Sequence, residues 1–238
     1  MFPSHLLSAN WTDLLVLNFE TDKKFLEHYL PAGIELNDWN GQYFMSLVGF
    51  EFSNTKLFGI PSPVYRRFAE LNLRFYVKRR IKDQWRKGVV FIKEIAPSWL
   101  VGQVARWLYK ESFIALPVKK SMTPLDNKVR IGYTMNVNDE PNYLSALATT
   151  AAVEHNNDSL EEFILDHYWG YTRVTKILTN EFAVIHRPWK IYPVMSADIK
   201  LDIPALYGKE FEPWLACPSQ NMFLMDGSET KVTWPRSL

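Results

Sequence analysis

The chain has 238 residues, a length that suits one large β-rich domain, and we expect residues 1–238 to form a single domain. The formal net charge of +1 leaves no field of one sign to hold a nucleic-acid backbone or an anionic membrane, so the sequence predicts neither partner. A composition of 47% hydrophobic and 22% charged residues excludes a mainly disordered chain. The single Cys217 excludes an internal disulfide framework and is consistent with a cytoplasmic location.

Aromatic residues and the amino-terminal stretch bear on fold and location. Aromatic residues make up 15% of the chain, and such rings suit β-sheet surfaces and the walls of a ligand cavity. The opening MFPSHLLSANW carries no Lys or Arg before its apolar part, and no run of 18 apolar residues occurs. The sequence therefore predicts neither secretion nor a membrane span.

The first predicted elements are a strand, a short helix and a second strand. Residues 11–19 form a β-like run, and Thr21 or Asp22 can cap a helix over 23–29. The turn DWNG then precedes a long strand over 42–52. Because this strand is apolar on both faces, we expect it to be central in its sheet.

The segment AELNLRFYVKRR, residues 69–80, alternates strictly between apolar and polar positions. One interpretation is a half-buried strand whose polar face meets water. The other is that the polar face lines the interior of a closed sheet, where its side chains converge on one ligand. Periodicity does not decide between them, and the polar positions are Glu70, Asn72, Arg74, Tyr76 and Lys78. A strand over 88–96 is expected to pair with this segment across the turn KDQWRK.

Three further elements are predicted: a helix over 99–110 capped by Ser98, a helix over 160–168 capped by Asp158 or Ser159, and a hairpin over 172–192. Glu161 and Glu162 lie in a first helical turn, where acidic residues are ordinary helix chemistry. His186 is interpreted as a packed, hydrogen-bonded residue. The histidines show no metal-ligand spacing and no glycine-rich nucleotide motif occurs, so no metal and no cofactor is predicted.

The adjacent Lys119 and Lys120 allow two interpretations. Such a pair is usually a solvated surface feature, but a lysine whose amine is kept neutral by burial or by a second cation is a nucleophile toward carbonyl groups. In an extended segment the two side chains face opposite sides, so only one enters a pocket. Lys120 shares its face with Val118 and Met122 and is the candidate for an apolar setting.

Seven ordered phrases resemble a known family. They are WTDLLVLNFETD, LPAGIELNDWNGQYFMSLVGF, ELNLRFYV, the Leu-Pro-then-Met segment LPVKKSM, SLEEFILDHYWGYT, VIHRPWKIY and CPSQNMFLMDG. They are spread along nearly the whole chain, and together they are similar to the YqjF-like family of unknown function, domain of unknown function 2071, in the acetoacetate-decarboxylase-like superfamily.

The resemblance implies a mainly antiparallel, cone- or barrel-like sheet that encloses a cavity, with short helices outside. In acetoacetate decarboxylase a lysine of a Pro-Lys-Lys motif forms a Schiff base with the substrate, and a glutamate lines the cavity. PVKK resembles that motif with one residue inserted, which leaves open whether Lys119 or Lys120 points inward, and Glu70 matches the cavity glutamate. ELNLR fits the YqjF-like pattern.

Two hypotheses follow. The first is a protein that binds a small organic carbonyl or carboxylate ligand through Glu70, Asn72, Arg74 and Tyr76. The second is a lyase, decarboxylase- or aldolase-like, that acts on a ketone or 3-keto acid with catalytic Lys120 or Lys119 together with Glu70. The sequence leaves the ligand and the oligomeric state open, a homo-oligomer included.

Overall fold

The structure is a computed structural model that describes residues 5–62, 66–97, 113–154, 156, 158–217, 219 and 221–238. The helix predicted over 99–110 lies outside these residues. The described strands are β1 (His5–Thr21), β2 (Glu35–Leu36), β3 (Tyr43–Leu57), β4 (Ile60–Pro61), β5 (Arg67–Ile81), β6 (Gln84–Ala96), β7 (Phe113–Ala115), β8 (Lys119–Leu125), β9 (Lys128–Val137), β10 (Glu140–Thr149), β11 (Trp169–Arg173), β12 (Thr179–Ile185), β13 (Ile191–Lys200), β14 (Asn221–Thr233) and β15 (Arg236–Ser237).

The described helices are short: α1 (Lys23–Glu27), α2 (Leu160–Leu165), α3 (Ile203–Leu206), a 3-10 helix (Lys209–Phe211) and α4 (Glu212–Leu215). Capping begins α1 and α2 where the sequence predicts, because Asp22 Oδ1 accepts from the amide of Lys24 at 2.6 Å and Ser159 Oγ accepts from that of Glu162 at 3.2 Å. Both helices end earlier than predicted. None of the described helices is long and apolar enough to cross a membrane.

One large, mostly antiparallel sheet curls into a cone-like ring, as the sequence predicts. Its strand order is β15-β12-β11-β6-β5-β3-β1-β14-β13-β10-β9-β8, and β12 also pairs with β14. That extra pairing closes a ring of seven strands, β12, β11, β6, β5, β3, β1 and β14. The parallel pairing of β11 with β6 makes the sheet mixed.

The predicted central position of the second long strand is confirmed, since β3 lies between β1 and β5 and is buried on both faces. The predicted turn KDQWRK is wrong in length. β6 begins at Gln84, and only Lys82 and Asp83 form the turn, with Lys82 at a φ of 53°. Arg79 and Arg86 are paired across the two strands in that region, and both guanidinium groups contact the carboxylate of Glu181 in β12.

Two apolar layers lie on opposite faces of the ring wall. On the outer face, Leu71 and Leu73 of β5 belong to the same cluster as Ile131 and Tyr133 of β9. On the other face, side chains from β1, β3, β5, β6 and β14 converge in one cluster, which includes Val16, Val48, Tyr76, Val89 and Met225. Side chains of β1, β5, β6, β12 and β14 also line one small cavity on this face, so the second cluster lies on the inner side of the ring.

Candidate functional site

The polar face of β5 points into the ring. Glu70, Asn72 and Tyr76 are only 5%, 3% and 1% exposed, and Arg74 is half-buried on the same face. The neighbouring Leu71 and Leu73 pack outside, because β5 alternates without interruption along its pairing with β3. Glu70, Asn72 and Tyr76 are therefore shielded from bulk water, and Arg74 is partly shielded. Their role in binding or catalysis stays a prediction.

Arg74 lies in the ring interior without a carboxylate partner in the described part of the chain. Its guanidinium carbon lies 5.8 Å from the centre of the Tyr76 ring, and the guanidinium hydrogen-bonds to the Tyr76 hydroxyl. The buried Nε of Arg74 has no hydrogen-bond partner among the described residues. This site is therefore built around a partly buried cation that no carboxylate of the described residues pairs.

The small cavity beside Arg74, here called the ring pocket, is lined mainly by rings. Its walls include Trp11, Phe91, His167, His186 and Trp189. The free space between these side chains is about 20 Å³, which is room for one water molecule. None of these rings was predicted from the sequence to contact a ligand. Trp11, Phe91 and His167 come from separate segments, and only His186 and Trp189 are neighbours in the chain.

Both histidines of the ring pocket are held neutral. Burial lowers the pKa of His167 to about 3, and the charges of Arg74 and Lys87 act in the same direction. Asn37 Nδ2 lies 3.0 Å from His167 Nε2. Burial also lowers the pKa of His186, again with Arg74 adding to the effect. The guanidinium is thus the charged group that the pocket offers to a ligand.

A chain of hydrogen bonds supports Tyr76 from behind. The Tyr76 hydroxyl and Ser46 Oγ lie 2.5 Å apart, and Ser46 Oγ donates to Asn18 Oδ1 at 2.5 Å. Asn18 Nδ2 donates to Asn221 Oδ1 at 3.3 Å, and Asn221 donates to Glu161 Oε1 at 2.7 Å. This network fixes the tyrosine that Arg74 contacts, and Glu161 ends it at helix α2.

Glu70 lies further along the same face of β5. Burial raises the pKa of its carboxyl well above the ordinary range, and the charge of Glu94 adds to the effect, against a hydrogen bond from Asn72. Burial therefore favours the protonated form of Glu70, and in that form the carboxyl can donate a hydrogen bond or a proton. Asn72 Oδ1 is buried without a hydrogen-bond partner in the described chain.

The two predicted lysines lie apart from Glu70. Lys119 is exposed, whereas the side chain of Lys120 is directed toward the body of the protein and is only 13% exposed. The ammonium of Lys120 contacts the carboxylate of Asp13 and lies 3.2 Å from Glu51 Oε1. Glu51 pairs with Ala69 of the outer layer, so this cluster is on the outer face of the ring. The apolar setting expected for Lys120 is wrong, because its ammonium contacts the carboxylates of Asp13 and Glu51.

Replacing Lys120 with methionine is expected to lower the free energy of unfolding by about 2 kcal/mol. The substitution leaves the partly buried carboxylates of Asp13 and Glu51 without their shared cation. Urea denaturation measures the loss. The matched control is Lys119→Met on the exposed neighbour, which should change stability by less than about 0.5 kcal/mol. Equal losses in the two variants would contradict the assignment.

The ring architecture defines the class of fold. The structure resembles acetoacetate decarboxylase from Legionella pneumophila with a TM-score of 0.65 and 10% identity, covering 100% of this chain and 88% of that one. It also resembles the enduracididine biosynthesis enzyme MppR complexed with pyruvate, with a TM-score of 0.63 and 10% identity, covering 100% and 91% of the two chains. The fold is therefore acetoacetate-decarboxylase-like.

Residues 8–229 match the family DUF2071, described as an uncharacterized conserved protein. The chain belongs to this family. It is also 25% identical, over 185 residues, to the uncharacterized protein YqjF of Bacillus subtilis (strain 168), a match that covers 77% of this chain and 74% of that protein. The resemblance that the seven phrases indicate is confirmed.

Proposed function

We propose that this protein binds a small organic carboxylate inside the ring, with Arg74 as its counter-ion. The observation that carries the proposal is the partly buried guanidinium of Arg74, which lines a pocket with several ring side chains and has no carboxylate partner among the described residues. Burying a charge without a partner is unfavourable, so an anionic ligand would offset a cost that the free protein bears. A carboxylate also matches the planar fork of an arginine by two parallel hydrogen bonds.

The surroundings of Arg74 favour a small, partly apolar anion. His167 and His186 are neutral and can donate or accept one hydrogen bond each without adding charge. Trp11, Phe91 and Trp189 offer apolar surface. The structural relative MppR was solved in complex with pyruvate, a small keto acid, which is consistent with a ligand of this class in a ring of this fold.

The Schiff-base hypothesis has less support from the geometry. Lys120 lies on the outer face of the ring in an ion cluster, whereas Glu70 faces the interior. A Schiff-base lysine needs a free amine that can reach the carbonyl carbon of the substrate, and the amine of Lys120 is instead engaged by two carboxylates away from Glu70. Within the ring, Glu70 remains a candidate acid for chemistry on a bound ligand.

Removing the charge of Arg74 tests the proposal. Calorimetric titration with pyruvate, acetoacetate and benzoate, each beside its neutral amide, should show binding of at least one acid and none of its amide. The variant Arg74→Met is expected to weaken that binding roughly 30-fold, the equivalent of about 2 kcal/mol for hydrogen bonds to a charged group.

The matched control is Arg80→Met at the exposed end of the same strand. It removes an equal charge outside the ring and should leave the affinity unchanged. Binding of no acid in the panel, or equal affinities for the wild type and Arg74→Met, would refute the role of Arg74.

A further inference from the structure

A second cavity, here called the outer cleft, lies next to the ring pocket. Its volume is about 180 Å³, and its walls include Glu162, Asp166, Tyr168 and Pro188. Leu165, His186 and Trp189 line both the outer cleft and the ring pocket. These three side chains are therefore the partition between the outer cleft and the space beside Arg74.

Most of this partition is a stack of rings. The rings of His186 and Trp189 are nearly parallel, at 12°, with centroids 3.8 Å apart. Tyr168 packs on His186 with ring centroids 4.9 Å apart. The imidazole thus stands between an aromatic ring of the outer cleft and an aromatic ring of the ring pocket.

The members of the stack differ in how firmly they are held. Trp189 is buried, and its Nε1 donates to Ser228 Oγ at 2.9 Å. The backbone beside it is fixed as well, because the amide of Lys190 donates to Asp226 Oδ1 at 2.9 Å. Trp189 is accordingly the fixed side of the partition.

His186 lies in the loop that follows β12, and its side chain is held less firmly than that of Trp189. Its ring nitrogen Nδ1 lies 2.8 Å from the carbonyl oxygen of the adjacent Arg187, and no bond to a more distant described residue holds the ring. The guanidinium of Arg187 is anchored to Asp226 Oδ2 at 2.9 Å and to the carbonyl of Gly227 at 2.8 Å. The loop backbone is therefore fixed, and a rotamer change of the imidazole would break one hydrogen bond to an adjacent residue and the ring contacts with Trp189 and Tyr168.

We propose that the imidazole of His186 is the gate between the outer cleft and the ring pocket, and that it controls which ligands reach Arg74. The proposal rests on the proposed function for its ligand, a small carboxylate. When the ring swings off Trp189, the outer cleft and the ring pocket become one space that accepts more than the single water the closed pocket holds. His186 is thus a residue that sets ligand size and access rather than ligand charge.

A cysteine reporter tests the gate without knowledge of the natural ligand. Val184 lines the ring pocket and not the outer cleft, so Val184→Cys places a thiol behind the gate. The exposed native thiol is removed by Cys217→Ser. The rate of modification is then measured with a negatively and a positively charged methanethiosulfonate reagent. Val89→Cys is a second reporter at another wall of the ring pocket, used if the first variant is unstable.

In this background His186→Ala is expected to raise the rate of modification at least tenfold with both reagents. His186→Phe keeps a ring on Trp189 and should retain the slow rate. Ile185→Ala, at an exposed neighbouring position, is the matched control and should also remain slow. Equal rates in His186→Ala and the parent would overturn the gate.

The two reagents separate this proposal from the binding proposal. A faster reaction of the negative reagent, lost in Arg74→Met, reports the anion preference of the ring pocket. Acceleration by His186→Ala with no preference between reagents would support the gate and count against the carboxylate. A preference for the negative reagent without acceleration by His186→Ala would support the carboxylate proposal and count against the gate.

Discussion

Mild acid is expected to destabilise the folded protein through His167. In the folded state burial lowers the pKa of this imidazole to about 3, whereas an unfolded chain has the ordinary value of 6.5. Between pH 6.5 and pH 3 the unfolded chain therefore binds a proton at His167 that the folded chain does not bind. Stability falls as the pH falls from 6.5 toward 3, by up to about 1.4 kcal/mol per pH unit.

The variant His167→Gln isolates this contribution, because its amide oxygen can accept from Asn37 and does not titrate. Urea denaturation at pH 7 and pH 4.5 should show that the wild type loses about 2–3 kcal/mol more than the variant on acidification. His28→Gln, on an exposed histidine, is the control and should follow the wild type. If His167→Gln loses as much stability in acid as the wild type, the imidazole is not buried in its neutral form.

Replacing Gly227 with alanine is expected to lower the free energy of unfolding by about 3 kcal/mol. Gly227 has a φ of +81°, which is unfavourable for any residue with a Cβ, and the added Cβ would lie 1.9 Å from the carbonyl oxygen of Trp11. About 1 kcal/mol comes from the left-handed backbone and about 2 kcal/mol from the forced separation of β1 and β14.

Gly33→Ala is the matched control for this substitution. Gly33 has a similar φ of +74°, but no atom lies within 4 Å of the position its Cβ would take. It should therefore show only the backbone loss, about 1 kcal/mol. Because Trp11 also lines the ring pocket, Gly227→Ala should in addition weaken carboxylate binding, while Gly33→Ala should not. Equal loss of stability in the two variants would mean that β1 and β14 accommodate the methyl group without moving.

Much of the local structure could be predicted from the sequence because it depends on neighbouring residues. The alternation along β5 separates Glu70 and Asn72 from Leu71 and Leu73, and the structure places these pairs on opposite faces. Asp22 begins α1 because a carboxylate caps free amides two residues on. A hairpin of β11 and β12 is present, but it spans residues 169–185 rather than the predicted 172–192. The seven phrases identify the family because they extend over most of the chain.

The tertiary structure decided what those faces meet. Period two is the same for a strand beside water and for a strand in a closed ring, and only the pairing of β12 with β14 makes the face of Arg74 internal. The carboxylates that surround Lys120 come from Asp13 and Glu51, which lie 107 and 69 residues away in the chain. No local pattern predicts that contact.

The ring pocket also depends on the tertiary structure rather than on local sequence patterns. Trp11, Arg74, His167 and His186 belong to four separate segments, and each follows an ordinary local pattern of its own. Side-chain chemistry and periodicity act over a few residues, whereas burial, a lowered histidine pKa and an unpaired cation depend on which distant strands close around a side chain. The chain alone therefore determined its strands, its caps and its family, and the closure of the ring decided which of its polar residues form a site.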